Sequence, residues 1–221
     1  MQRFARWHIW LGWLVGFPVL MWTVTGLFMA ARPIEEVRGS DLLEAPAAVD
    51  TSELVFPNRM GMVTSVRLVA QPDGPAWVVT EAEGGQYRYS ARDGSLIPPL
   101  IEDEARRIAE AAYIGDSALE SVRYFPVDVS PMDLRADVNA WQAHYADGTN
   151  IYLNASTGEI MAVRTGWWRA YDFMWGLHIM DLETRENMSH PILQLFAALA
   201  VLGALLGCVL MFRRRKARPR A

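Results

Sequence analysis

Trp7–Ala31 reads WHIWLGWLVGFPVLMWTVTGLFMAA, 25 residues without an Asp, Glu, Lys or Arg, bounded by Arg6 and Arg32. A bilayer core of about 30 Å needs roughly 20 apolar residues in a helix, so the run is long enough to span with some tilt. A cleaved signal peptide is the rival, since Arg3 and Arg6 form a basic start and Met29-Ala30-Ala31 loosely resembles a cleavage site. The apolar core of a signal peptide is about 7–15 residues, and this run is longer and carries four tryptophans. It reads as a retained span, and the rest of the chain must then stay on one side of a membrane or cross back.

Pro191–Phe212, PILQLFAALAVLGALLGCVLMF, is a second uncharged run of 22 residues, closed by Arg213-Arg214-Arg215-Lys216. Of the 21 Lys and Arg, two precede the first run and six follow the second, whereas all 25 Asp and Glu lie between the runs with the other 13 arginines. The ends carry +8 and the middle −12. Basic flanks stay in the cytoplasm, which predicts both termini inside and residues 32–190 outside, in the periplasm if the membrane is a bacterial inner membrane. The single cysteine, Cys208, falls in the second run, so the exported part has no disulfide. The basic tail is short and juxtamembrane. It suits topology and anionic lipid rather than nucleic acid.

Gly12 and Gly16 form a G-x-x-x-G in the first span, and Gly203 and Gly207 repeat it in the second. Such spacing lets helix backbones approach closely in lipid, and the two notches fall at similar depth, which predicts packing within the chain or across a dimer. Pro18 is expected to bend the first helix.

Between the spans, residues 33–50 are rich in Pro, Ala and acid and read as a linker. Strand patterns follow at Val63–Ala70, Ala76–Glu81 and Gln86–Ala91, then an amphipathic helix at Ile101–Tyr113 with acids in its first turn. Further strands are predicted at Ser121–Phe125, Ala140–Ala146, Asn150–Asn154 and Glu159–Val163. An offset of 64 places Ala76-Trp77 on Ala140-Trp141, Gly84 on Gly148, Ala91 on Ala155 and Gly94 on Gly158. That recurrence predicts a duplicated unit, two similar small sheets packed together.

The helix at Ile101–Tyr113, the strands after it and the closing TNIYLNASTGEIMAV (Thr149–Val163) resemble a PepSY domain, a small module of one helix on an antiparallel sheet. Arg6-Trp7-His8, with Trp10-Leu11-Gly12, resembles the opening of PepSY-associated transmembrane proteins. The expected fold is therefore an α+β membrane protein, two transmembrane helices flanking a periplasmic domain of PepSY-like modules. The boundaries read as 1–32 for the first span, 33–50 for the linker, 51–99 for a degenerate repeat and 100–165 for the PepSY-like domain. After these come 166–189 for a juxtamembrane helix and turn, 190–213 for the second span and 214–221 for the basic tail. The resemblance implies iron metabolism among larger members, some of which resemble siderophore-iron reductases holding haem in their membrane helices. PepSY modules elsewhere are suspected of inhibiting peptidases. Two spans rather than four or so leave this chain short of a self-contained haem bundle.

The residues show no zinc spacing, nucleophile elbow, phosphate loop or dinucleotide fingerprint. There are four histidines. His144 falls on a strand and reads as an exposed strand residue. His8 lies at the start of the first span, on the face of Gly12. In GWWRAYDFMWGLHIMDL (Gly166–Leu182), Trp168, Tyr171, Trp175, His178, Ile179 and Leu182 fall on one helical stripe, which predicts an amphipathic surface helix. His190-Pro191 opens the second span. His8, His178 and His190 are the candidate haem ligands. His178 and His190 would share the outer face, whereas His8, across the bilayer, would need a second copy or another membrane subunit. Two functions stand open: an anchored module that binds or regulates a partner protein, and a small haem b subunit moving electrons towards ferric or siderophore-bound iron.

Overall fold

The structure, a computed structural model, describes residues 2–58 and 61–216, the side chains of 214–216 excepted. The basic tail beyond Arg213 lies outside the described side chains. The chain divides into two units, residues 1–33 with 170–221, and residues 34–169.

The first unit contains helix α1 (Gln2–Met29), most of α4 (Gly166–Ile179) and α5 (Pro191–Lys216). Two of these, α1 and α5, are long and apolar enough to cross a membrane, with mean hydropathy 1.6 and 2.6 over their best windows. Only 17% of the α1 window and 6% of the α5 window is buried, so neither is the covered core helix of a water-soluble domain. Trp10, Trp13, Phe17, Leu20 and Leu27 are exposed along α1, which suits a hydrocarbon surrounding. α1 packs on α5. The paired notches expected at this contact do not meet. Gly203 receives Leu11 and Gly207 receives the His8 ring, while a Cβ on Gly12 or Gly16 would have nothing within 4 Å. Side chains from α1 fill the α5 notch, and its own notch faces away.

The second unit contains two four-stranded antiparallel sheets. The first is β1 (Val63–Val69), β2 (Ala76–Glu81), β3 (Gln86–Ser90) and β4 (Leu96–Ile97); the second is β5 (Leu119–Phe125), β6 (Ala140–Tyr145), β7 (Asn150–Asn154) and β8 (Ile160–Arg164). The duplication is visible in the register. Ala76↔Ser90 and Trp77↔Tyr89 of the first sheet become Ala140↔Asn154 and Trp141↔Leu153 of the second, each residue advanced by 64. The edge strands are advanced by only 56, from Val63↔Glu81 to Leu119↔Tyr145. The loop before β6 is longer by the missing eight residues and holds two 3-10 turns, Val127–Val129 and Met132–Leu134. Strand β4 is the short strand that the repeat implies after the Gly94 turn, without bounds in the sequence. It is two residues long and carries no alternation to detect.

Helix α3 (Glu102–Ala112) covers the second sheet, burying Ala105, Ile108 and Ala109 against Ala143, Ile151, Leu153 and Val163. Arg88 of β3, 1% exposed, ties the first sheet to it: its Nη1 donates to Glu104 of α3 at 2.6 Å and to Gln71 at 2.9 Å. The segment 33–50 is not wholly extended. It contains α2 (Ile34–Arg38) and a 3-10 turn at Ser40–Leu42, and Val37 is 2% exposed.

Candidate functional site

His8 lies on α1 one turn before Gly12. Its ring sits on Gly207, where a Cβ would stand 3.1 Å from Cε1, and its Nδ1 is 3.1 Å from the Gly203 carbonyl. A carbonyl only accepts, so Nδ1 carries the proton and the lone pair of the neutral ring is left on Nε2. Among the described residues nothing hydrogen-bonds that Nε2. Glycine at 207 suits this fit, because a Cβ there would press on the ring and make it give by a few tenths of an ångström.

His178, near the end of α4, repeats the arrangement at the other end of α1. The Thr25 hydroxyl donates to the Met21 carbonyl at 2.8 Å, and its oxygen lies 2.8 Å from His178 Nδ1. The one hydroxyl proton has two contacts of 2.8 Å; assigned to the Met21 carbonyl, it leaves the oxygen to accept from Nδ1, and Nε2 keeps its lone pair. Trp22 Nε1 donates to the His178 carbonyl at 2.8 Å, and the Trp175 ring stacks on the imidazole with centroids 6.5 Å apart. Residues 8 and 25 are 17 positions apart on one helix, a rise of about 26 Å. The two rings are thus held at opposite ends of the span, with the same nitrogen tied down.

His190 precedes α5, and its Nδ1 is buried without a hydrogen-bond partner. No hydrogen bond or ring contact links it with His178 among the described residues. His144 is 39% exposed; its Nε2 is 3.8 Å from Glu120, and Nδ1 is 2.7 Å from the Asn150 side chain, so it belongs to the sheet surface.

The buried face of α4 differs from the aromatic stripe. Asp172, Gly176 and Ile179 are the buried positions, and Leu182 lies beyond the helix end and is exposed. The helix stops in a Schellman motif: Asp181 N–H bonds the Gly176 carbonyl, Met180 N–H bonds the Leu177 carbonyl, and Met180 takes φ 57°. The chain then folds back over Gly176, and Arg185 Nη1 donates to Asp172 at 2.6 Å. A charge that periodicity sets on the polar side is buried because its partner arrives from the following loop. Asp181 pins that loop. The Thr184 hydroxyl and the backbone N–H groups of Asn187, Thr184 and Glu186 hold its carboxylate well below the usual range.

Thr25 and Arg185 were not singled out by the sequence, and Gly207 was read as a backbone notch rather than as the seat of a ring. Thr25 is the one with a legible signal, a hydroxyl inside an apolar run. No group of three or more His, Cys, Asp or Glu side chains able to hold a metal ion occurs among the described residues. No curated protein and no solved structure matches the chain. The family model for the PepSY-associated TM region matches residues 5–221. With the double sheet, α5 and all but the first three residues of α1 inside that match, the chain belongs to the PepSY-associated TM region family.

Proposed function

We propose that this chain is a two-span membrane subunit that binds haem b through His8 and His178 and carries electrons across the bilayer. The observation that supports this reading is the shared setting of the two rings: Nδ1 donates to a fixed acceptor on each, and Nε2 is left with its lone pair. A neutral imidazole with its second nitrogen so anchored is the usual form of a metal-ligating histidine. An interfacial histidine needs no such anchoring. Each chain supplies one imidazole per level, so the facing ligand comes from a second copy or another membrane subunit. The chemistry a haem adds is one-electron transfer, with its potential set by axial ligands and burial. The chain's own residues hold the rings, fix their tautomers and exclude water with Trp175 and the span surfaces. By the charge split, both termini are cytoplasmic and residues 32–190 periplasmic. Electrons then leave on the periplasmic side, where ferric iron, free or siderophore-held, is the acceptor class.

The test is spectroscopic. Protein purified in detergent from haem-sufficient cells should show a low-spin b-type signal, with one haem per chain if the mate is a second copy. His8→Ala and His178→Ala should each remove about half of it, and His144→Ala none. Absence of the signal, or its survival in the His8→Ala/His178→Ala double variant, overturns the reading.

A second reading is an anchored module that binds or regulates a partner protein. A cleft of about 930 Å³ in the double-sheet unit favours it, lined by Leu43, Pro46, Leu68, Ile108 and Ile160 with Glu44 among them. Substituting Leu68 by Asp should abolish capture of a cross-linked partner under this reading and leave haem content unchanged under the first.

A further inference from the structure

We propose that Thr25 is a positioning residue that gates His178: the direction of its one O–H bond decides whether that ring can take a metal. The proposal rests on the haem reading above and deepens it. The two candidate rings are held by chemically different partners. His8 Nδ1 faces the Gly203 carbonyl at 3.1 Å, and a carbonyl has no proton to give. One tautomer of the neutral His8 ring satisfies that contact, the one with its lone pair on Nε2. His178 Nδ1 faces a hydroxyl, which can donate or accept. The single Thr25 proton has two acceptors at 2.8 Å, the Met21 carbonyl and His178 Nδ1, with the Trp22 carbonyl a longer third at 3.3 Å. Turned to Met21, the hydroxyl accepts from Nδ1–H and the ring can ligate through Nε2. Turned to Nδ1, it donates; the ring proton then sits on Nε2, and no lone pair remains there for a metal. The net charge is the same in both forms.

The ring has little room to settle the matter by moving. Trp22 Nε1 holds the His178 carbonyl at 2.8 Å, Trp175 stacks on the imidazole, and a Cβ on Gly26 would stand 3.7 Å from Cε1. Thr25 is 2% exposed, which keeps bulk water from competing for its proton. An empty His178 therefore divides between the two forms, and occupation of Nε2 selects the first. Apparent affinity at this level is lowered by the fraction of rings in the other form. His8, answered by a carbonyl, carries no such cost.

The full chain in nanodiscs, free of haem and isotope-labelled at the histidine nitrogens, tests this by nuclear magnetic resonance, which tells a protonated ring nitrogen from a bare one. His8 should show Nδ1–H alone and His178 both tautomers. Thr25→Ser keeps the hydroxyl and should keep the mixture. Thr25→Val keeps the shape and removes the acceptor, so the His178 proton should move to Nε2, because a buried Nδ1–H would go unanswered. Haem b titrated into a His8→Ala background reads the consequence. There Thr25→Val should weaken binding by roughly tenfold, as the loss of one hydrogen bond implies, and Thr25→Ser should not. A single Nδ1–H tautomer at His178 in the wild-type chain overturns the assignment without any variant. A tautomer mixture or a haem affinity that Thr25→Val leaves unchanged overturns it too. Tautomers that follow Thr25 in a chain that binds no haem at all defeat the haem reading alone, and the proton assignment stands.

Discussion

Gly207 and Gly12 pose the same substitution in two surroundings. An alanine Cβ at 207 would stand 3.1 Å from His8 Cε1, where ring and helix must yield; at 12 it would meet nothing within 4 Å. Gly207→Ala should therefore loosen the α1–α5 contact by about 1 kcal/mol, typical of membrane helix contacts, while Gly12→Ala leaves it unchanged. Energy transfer between labels on the two helices measures both. An equal effect at the two positions would contradict the packing described. Asp181 makes a pH prediction at the same scale. Its folded carboxyl is held below its ordinary value, so the loop's stabilisation is complete above about pH 4, the unfolded pKa, and is lost as pH falls through the folded pKa. Proteolysis of the 180–190 loop should stay constant from neutral pH down to about 5, well above that pKa, and rise only in stronger acid. Asp181→Asn should abolish the dependence.

Between elements, the Arg88–Glu104 pair joins β3 to α3 with almost no solvent on the cation, 1% exposed. Glu104→Leu alone strands a buried charge and should cost about 3–5 kcal/mol, whereas Arg88→Met with Glu104→Leu should recover most of the loss. Chemical unfolding of the double-sheet unit, followed by tryptophan fluorescence, tests this. A double variant as weak as Glu104→Leu would show that the pair contributes more than charge balance. Legibility differed by element for physical reasons. Ala76–Glu81 and Asn150–Asn154 are read to the residue, because tight glycine turns at positive φ (Gly84 and Gly148) bound the hairpins they share with β3 and β6. β8 begins one residue later than predicted, and β4, implied by the repeat, has no bounds in the sequence because two residues carry no period. On α4 the aromatic stripe misled, since Asp172 and Gly176 are buried by a loop that the helix's own periodicity cannot see.

At the scale of the molecule, the charge split of +8 at the ends against −12 between them predicts the orientation. A phosphatase fused at Ala136 should be active and one fused at the C-terminus inactive. An active C-terminal fusion reverses the assignment and moves the proposed acceptor to the other side of the membrane. His8 lies on α1 and His178 meets Thr25 near the other end of that helix, levels about 26 Å apart along its axis and too far to serve one iron. Under the proposed haem reading, haem stoichiometry and oligomeric state should therefore move together: conditions that dissociate the assembly should release haem. Haem retained by a monomer would require both axial ligands from one chain.

Composition and local pattern were enough for the two apolar helices, the acidic domain between them, the duplicated sheets and the family resemblance. Each rests on composition or on periodicity within a single segment, where the physics is local. The sequence also named His8, His178 and His190 as the histidines near the span ends. What those rings touch emerges only from packing, because each contact joins residues remote in sequence. His8 meets Gly203, 195 positions away, and His178 meets Thr25, 153 away. The same reason explains the glycine notches: a G-x-x-x-G spacing says that a helix can be approached closely, and only the packed pair says from which side.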